Sequence, residues 1–250
     1  MRYNVYRKGC IIMTERYKCE FHVHTRYSKD SFQSFLLMLL MCKIHNIRTL
    51  VICDHNEVRG ALLHRRGFRK YGVEIIVGEE IFTAEGEMIG INLKKRIEPG
   101  LSPEETIRQI RSQGGLVYVP HPFDEKRYKT VLSEDAIARC RDNIDFMEIH
   151  NGRNCKKEFS LRQDEMADKY GITPVVGSDA HTFFELGRNY VITDRPIVGR
   201  LRAGDLDNAE FVTSDYLPLA HKATKVAKAL KMILRGDFLE LFGIIYKKLA

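Results

Sequence analysis

His22 and His24 close the short run CEF (19–21), two imidazoles at positions i and i+2. In a strand such residues face the same side, so both rings can aim at one point. That point is either a metal ion or solvent at a polar strand end. The rest of the chain repeats the pattern. Asp54 and His55 follow TLVIC (49–53), Glu79 and Glu80 follow EIIVG (74–78), and His121 follows LVYVP (116–120). Glu148, His150 and Asn151 close DFMEIHN (145–151), and Asp179 and His181 follow TPVVGS (173–178). One histidine after a strand is usually a surface or core residue. Six strand ends that each deliver imidazole or carboxylate predict one shared mouth. Apart from Cys53, beside Asp54, no cysteine joins them. A mixed imidazole and carboxylate set suits zinc, manganese or iron, not a thiolate-held structural zinc. It also contains more donors than one ion can use. Buried together without cations they would repel one another and desolvate badly, so the set predicts two or three divalent ions. Such a cluster binds phosphate oxygens and lowers the pKa of a bridging water.

These side chains meet only if the strands carrying them end on one face. Apolar, β-branched runs recur at 19–23, 49–53, 74–77, 88–93, 116–120, 145–149, 173–177 and 189–193. Helical patterns lie between them at 32–45, 102–115, 133–141 and 155–171. The second of these opens with Ser102 as N-cap, Pro103 at the first helical position and Glu105, and stops at a glycine pair. The last is closed by Gly171. Strand–helix alternation of this kind predicts a parallel α/β sheet or barrel, with the site at the C-terminal strand ends. From 221 to 235, Val226, Leu230, Ile233 and Leu234 form an apolar stripe among four lysines. Gly236 then ends that helix, and a second apolar face runs through Phe238, Leu241, Phe242, Ile245 and Leu249. The expectation is a helical tail packed on the body by its stripe, with a membrane-surface or partner-binding helix as the alternative.

Composition sets the frame. The 250 residues are 44% hydrophobic and 29% charged, ordinary values for a chain with a sizeable core. The net charge of +7 sits in the tails, with +4 over residues 1–18 and +5 over 221–250, leaving −2 between them. A nucleic-acid binder more often spreads its basic patch over the folded face. The longest apolar run, FLLMLLMC (35–42), is too short to cross a bilayer. Six scattered cysteines with no C-x-x-C pair suggest reduced thiols and a cytoplasmic location.

The motifs FHVHTRYSKDS, CDHN, VGEEI, VPHPFD and GSDAH, in this order, resemble the polymerase-and-histidinol-phosphatase (PHP) family of metal-dependent phosphoesterases. The resemblance spans about residues 19–195. It implies an α/β fold, a distorted TIM-like (β/α)7 barrel with a C-terminal helical extension. On that basis residues 1–18 are a basic N-terminal extension, 19–195 the barrel, and 196–250 an extension with amphipathic basic helices packed on it. The resemblance further implies that His22, His24, Glu80 and Asp179 hold a first metal, with Glu80 bridging. Glu80 and His121 would hold a second, and Asp30, His55 and His181 a third. Asp54 would orient its neighbours. One departure stands out: where many relatives place histidine in an H-x-x-G stretch, this chain reads EMIG, so Glu87 is either a carboxylate ligand of the second metal or an exposed hairpin residue. His150 is a structural residue in this reading, and His45, His64 and His221 lie on the surface.

A phosphoesterase also needs basic groups on the strand-end loops. The candidates are Arg26, Lys126, Arg127, Arg153 and Arg188, with Arg153, Arg188 and His181 as groups acting on the reaction itself. The leading expectation is hydrolysis of a small phosphomonoester, such as a nucleotide, a sugar phosphate or histidinol phosphate. A nuclease acting on phosphodiesters is the near alternative, and a non-catalytic metal-binding module a further one. A metal-dependent amidohydrolase would share the barrel, but its usual bridging lysine is missing from GEE.

Overall fold

The computed structural model describes residues 16–124, 127 and 130–235. The first strand, β1 (Tyr17–Val23), is followed by α1 (Phe35–His45), β2 (Ile47–Ile52), α2 (Arg59–Lys70), β3 (Glu74–Thr83) and β4 (Gly86–Ile91). Then come α3 (Pro103–Ser112), β5 (Leu116–Val119), α4 (Glu134–Cys140), β6 (Phe146–Asn151), α5 (Lys157–Tyr170) and β7 (Thr173–Ala180). The chain continues through β8 (Tyr190–Thr193), β9 (Glu210–Val212) and α6 (Pro218–Arg235).

Strands β1 to β7 pair in sequence order, and β7 pairs back to β1, closing a seven-stranded barrel. All neighbours in the ring are parallel except β4, which runs antiparallel to β3 and β5. A β-hairpin therefore stands where no helical pattern separates the apolar runs 74–77 and 88–93. Strand β1 shares one edge between two partners: Tyr17–Cys19 pair with antiparallel β8, and the residues beyond pair with β7.

Two apolar layers hold the barrel. Inside lie Cys19, Phe21, Val51, Cys53, Ile76, Ile89, Ile91, Tyr118, Phe146 and Val175, with Ile197, Leu201 and Leu206 packed into the same cluster. The chain after β8 thus joins the barrel interior, and β9 pairs with β8, so residues 196–212 are continuous with the barrel. Outside, strand residues such as Leu50, Ile52, Val117 and Met147 meet Met38, Phe68, Ile107, Ile110, Ile137 and Met166 from the helices.

Local signals explain the helices. Ser34, Ser102 and Ser133 each accept a hydrogen bond from a first-turn amide of α1, α3 and α4. Asn46 and Gly171 end α1 and α5 in the left-handed region. Helix α2 carries no apolar stripe legible in the sequence. Its buried residues are Gly60, Ala61 and Phe68, and a Cβ at Gly60 would lie 3.0 Å from Asp54 Oδ2. Helix α6 corrects the expected packing. Val226, Leu230, Ile233 and Leu234 are exposed, and Ala220, Thr224, Ala227, Lys231 and Met232 are buried instead. Residues 1–15 and 236–250, which hold five of the twelve Lys/Arg of the tails and the expected second apolar face, lie outside the described residues.

Candidate metal centre

The H-x-H pair works through a bulge. In β1 Cys19 and Phe21 face the interior and Val23 faces the helices. Simple alternation from Phe21 would turn His22 outward. Instead His22 adopts φ 59°, the register with β2 and β7 shifts around it, and both His22 and His24 point into the mouth. His121 (φ 31°) and Asp179 (φ 50°) are also left-handed. Each such non-glycine position costs about 1–3 kcal/mol, and they gather here, at the strand ends of β1, β5 and β7.

Five imidazoles and four carboxylates converge. His22 Nε2 lies 3.3 Å from Glu80 Oε1 and 3.7 Å from Asp179 Oδ1. His24 Nε2 lies 3.3 Å from Glu80 Oε2 and 3.4 Å from Asp179 Oδ1. His121 Nε2 is 3.0 Å from Glu80 Oε1 and 3.6 Å from Glu87 Oε2. His55 Nδ1 is 3.0 Å from Glu80 Oε2 and 3.6 Å from Glu87 Oε1. Asp30 spans His55 Nε2 at 3.5 Å and His181 Nε2 at 3.3 Å. Donor atoms within 4.8 Å of one another form the groups His22–His24–Glu80, His22–His121–Asp179, His55–Glu80–Glu87 and His24–His55–His181. Glu87, the first residue after Gly86 in β4, is buried and faces this cluster; the exposed-hairpin alternative does not describe it.

Neighbouring groups fix the rings. His22 Nδ1 is 3.1 Å from Glu148 Oε1; a carboxylate only accepts, so Nδ1 carries the proton and Nε2 presents its lone pair. Ser28 Oγ donates to Asp54 Oδ1 at 2.7 Å and must therefore accept from His24 Nδ1, 3.1 Å away. His181 Nδ1 donates to the Asp179 carbonyl at 2.9 Å. Three lone pairs thus face carboxylate oxygens. Among the described residues, His22 Nε2, His24 Nε2, Asp30 Oδ1 and Glu80 Oε2 are buried without a hydrogen-bond partner. Lone pair against lone pair is repulsive, and a cation between them removes both the repulsion and the unmet polar demand. The donor set therefore fits divalent metal ions, all through nitrogen and oxygen.

Without cations the balance of charge is lopsided. Burial opposes a charge on His22, but Glu80, Asp179 and Glu148 hold its pKa well above the usual histidine range. Burial and the neighbouring His181 push His24 well below it. Burial also opposes charge on His55, yet Glu80 and Asp30 raise it to about 10. Burial and Glu80 together raise Glu87.

One supporting residue, Glu148, had no role assigned to it from the sequence. Glu148 accepts from Tyr118 Oη at 2.5 Å, the His121 amide at 2.5 Å and Asn151 Nδ2 at 2.8 Å, besides His22. Its carboxylate occupies the space above Gly177, where a Cβ would sit 1.7 Å from Glu148 Oε1. Asp54 ties down Thr25 and Ser28 and touches no candidate ligand directly through its carboxylate. The alternating polar residues of DFMEIHN were the available signal for Glu148, and nothing local distinguished it from His150, whose Nδ1 instead meets Ser160.

The basic candidates divide. Arg127 reaches the cluster, with Nη1 2.6 Å from Asp179 Oδ2 and Nε 3.0 Å from Asp124. Arg153 is buried away from the ligands, its guanidinium bonded to Glu185 and to Thr224 Oγ1. Arg188 is half-buried and donates to the Asp215 carbonyl at 3.3 Å. Arg26 lines a pocket with Tyr27, Ser34, Phe35, Leu36 and His64, between α1 and α2. These three do not reach the mouth as the sequence suggested, because local carboxylates, carbonyls and loop direction turn them elsewhere. Lys126 lies outside the described residues.

Comparison with known proteins bears on the family and the fold. A family model described as PHP-associated matches residues 161–212, from α5 through β9. The chain is 40% identical over 116 residues to the uncharacterized protein MJ1587 of Methanocaldococcus jannaschii, covering 42% of this chain and 68% of that one. It is 34% identical over 177 residues to MJ0417 of the same organism, covering 70% and 69%. Among solved structures, a two-domain protein from Bacteroides vulgatus, containing a predicted PHP-like metal-dependent phosphoesterase, superposes with a TM-score of 0.68. It shares 17% identity, over 85% of this chain and 69% of that one.

Proposed function

The chain belongs to the PHP family, and on that premise we propose that it is a metal-dependent hydrolase of phosphate esters, acting on a small phosphomonoester. The observation that carries this reading is the set of buried, unpartnered donor atoms of His22, His24, Asp30 and Glu80 converging in one mouth. His22, His24, Glu80 and Asp179 would hold one ion, Glu80, His121 and Glu87 a second, and Asp30, His55 and His181 a third. Zinc, manganese and iron all suit these donors. Bound divalent ions would supply charge neutralisation at the phosphoryl oxygens and an acidified water.

The chain's own residues do the rest. Glu148 and the Asp54–Ser28 pair keep Nε2 of His22 and His24 turned to the mouth. Arg127 offers the guanidinium nearest the ligands, and its second face can turn from Asp124 to a phosphoryl oxygen. His181 has its Nδ1 proton engaged by the Asp179 carbonyl and its Nε2 committed to the Asp30 side. It therefore has no free proton for a leaving alcohol in this arrangement, and solvent is the donor in our reading. The test is a panel of sugar phosphates, nucleotides, histidinol phosphate and oligonucleotides, assayed with Mn²⁺ or Zn²⁺. Release of phosphate from monoesters that disappears in His24→Ala is expected. Turnover of oligonucleotides alone would replace the monoester reading with a nuclease, and no turnover in a protein that retains metal would leave a binding module.

A further inference from the structure

The outermost ligands of the centre are Asp30 and His55, with side chains 16% and 15% exposed, against 0–1% for His22, His24, Glu80, His121 and Asp179. Together with His181 they make the set most open to water. All three lie beyond strand ends: Asp30 and His181 on the loops 24–34 after β1 and 181–189 after β7, and His55 after β2, where it is held by a bridge to Glu80. A ligand on a loop is placed only as well as the loop is held.

Helix α6 touches both loops. Lys231 is buried, and its Nζ donates to the carbonyls of Arg26 (2.7 Å), Ser28 (2.6 Å) and Ser31 (2.5 Å), which bracket Asp30. The Phe32 ring centroid lies 5.0 Å from the same ammonium. Burying an ammonium is costly unless its donors are met, and here each N–H has a carbonyl. Two helical turns earlier, Thr224 Oγ1 accepts from Arg153 Nη2 at 2.6 Å. Arg153 in turn grips Glu185, and Glu185 accepts from the His181 amide at 3.0 Å and from Thr182. Ser31 Oγ closes the circuit by donating to the His181 carbonyl at 2.8 Å. The small residues Ala220 and Ala227 let the helix lie close.

We propose that α6 is a strap for the outermost cation set: Lys231 positions the Asp30 loop, and Thr224, through Arg153 and Glu185, positions the His181 loop. The inference rests on the cation-centre reading above. It assigns the buried face of α6 a role in ligand placement, and it accounts for why that face carries a lysine and a threonine while the apolar stripe faces out.

The experiment is Mn²⁺ titration of the full chain by calorimetry, with bound metal counted after dialysis. Wild type is compared with Lys231→Met, Thr224→Val and the exposed control Lys222→Met. The expected result is a fall of about 10–100-fold in the affinity of one class of site in both buried-face variants. The remaining sites and the control should be unchanged. A merely structural helix would not weaken one class selectively. If either folded variant binds Mn²⁺ with wild-type number and affinity, or if Lys231→Met and Thr224→Val weaken all classes equally, the strap is overturned. Should Lys231→Met fail to fold, the milder Thr224→Val decides. Wild type that takes up no Mn²⁺ or Zn²⁺ would overturn the cation centre itself, an outcome separate from unchanged binding in the variants.

Discussion

At the scale of single residues, the centre depends on groups that never touch the metal positions. Glu148 is the sharpest case. It accepts from His22 Nδ1, Tyr118 Oη, the His121 amide and Asn151 Nδ2, and it is wholly buried. Glu148→Gln replaces an acceptor oxygen with an NH₂ that would face donors. We expect metal affinity to fall by about 10–100-fold, in line with the loss of an outer carboxylate partner of a metal histidine. Equilibrium dialysis against Zn²⁺ reads this directly; unchanged affinity would show that His22 is oriented without Glu148. The histidines and carboxylates themselves were legible from their types and their place after strands. Glu148 was visible as a polar strand end, yet its partners come from β1, β5 and the loop after β5, and no local pattern records them.

Among the elements, the β3–β4 hairpin decides the position of Glu87. The strands pair residue by residue, with Glu80 opposite Ile89 and Phe82 opposite Glu87. Gly86 begins β4 at φ 132°, and a Cβ there would lie 2.6 Å from the Leu132 backbone. Gly86→Ala should therefore cost at least about 1–3 kcal/mol from the strained backbone alone, before the collision is counted. A lowered Tm is the expected outcome, and a Tm within a degree of wild type would mean that the Val131–Leu132 segment yields freely. The strands and the capped helices were readable because alternation, Ser caps and glycine stops are local. The hairpin at Glu87 was among the readings too, but not the face of β4 that Glu87 occupies, since that is set by pairing with β3 and β5. Helix α2 was hidden because two of its three buried residues are Gly60 and Ala61, which leaves Phe68 without a stripe of large apolar side chains around it.

For the molecule as a whole, the barrel gathers five imidazoles and four carboxylates at one end, a donor set that on the proposed reading would hold cations in the folded chain and is scattered in the unfolded one. Each site filled at a hundredfold excess over its Kd stabilises the fold by about 2.7 kcal/mol. Mn²⁺ should raise the Tm, and exhaustive chelation should lower it; a melting curve indifferent to both would exclude a divalent centre. Ring closure through β1 and β7 is what makes the gathering possible, because residues 22 and 179 become neighbours only when the ends of the barrel meet. Taken alone, the amino-acid sequence determined the donor types, their place at strand ends and the strand–helix rhythm, since these follow from side-chain chemistry and local periodicity. Only the tertiary structure decided which arginine reaches the mouth, which face of α6 is buried and how Glu87 enters the cluster. Those depend on the bulge at His22, the reversal of β4 and contacts between residues more than two hundred positions apart, as between Lys231 and Arg26.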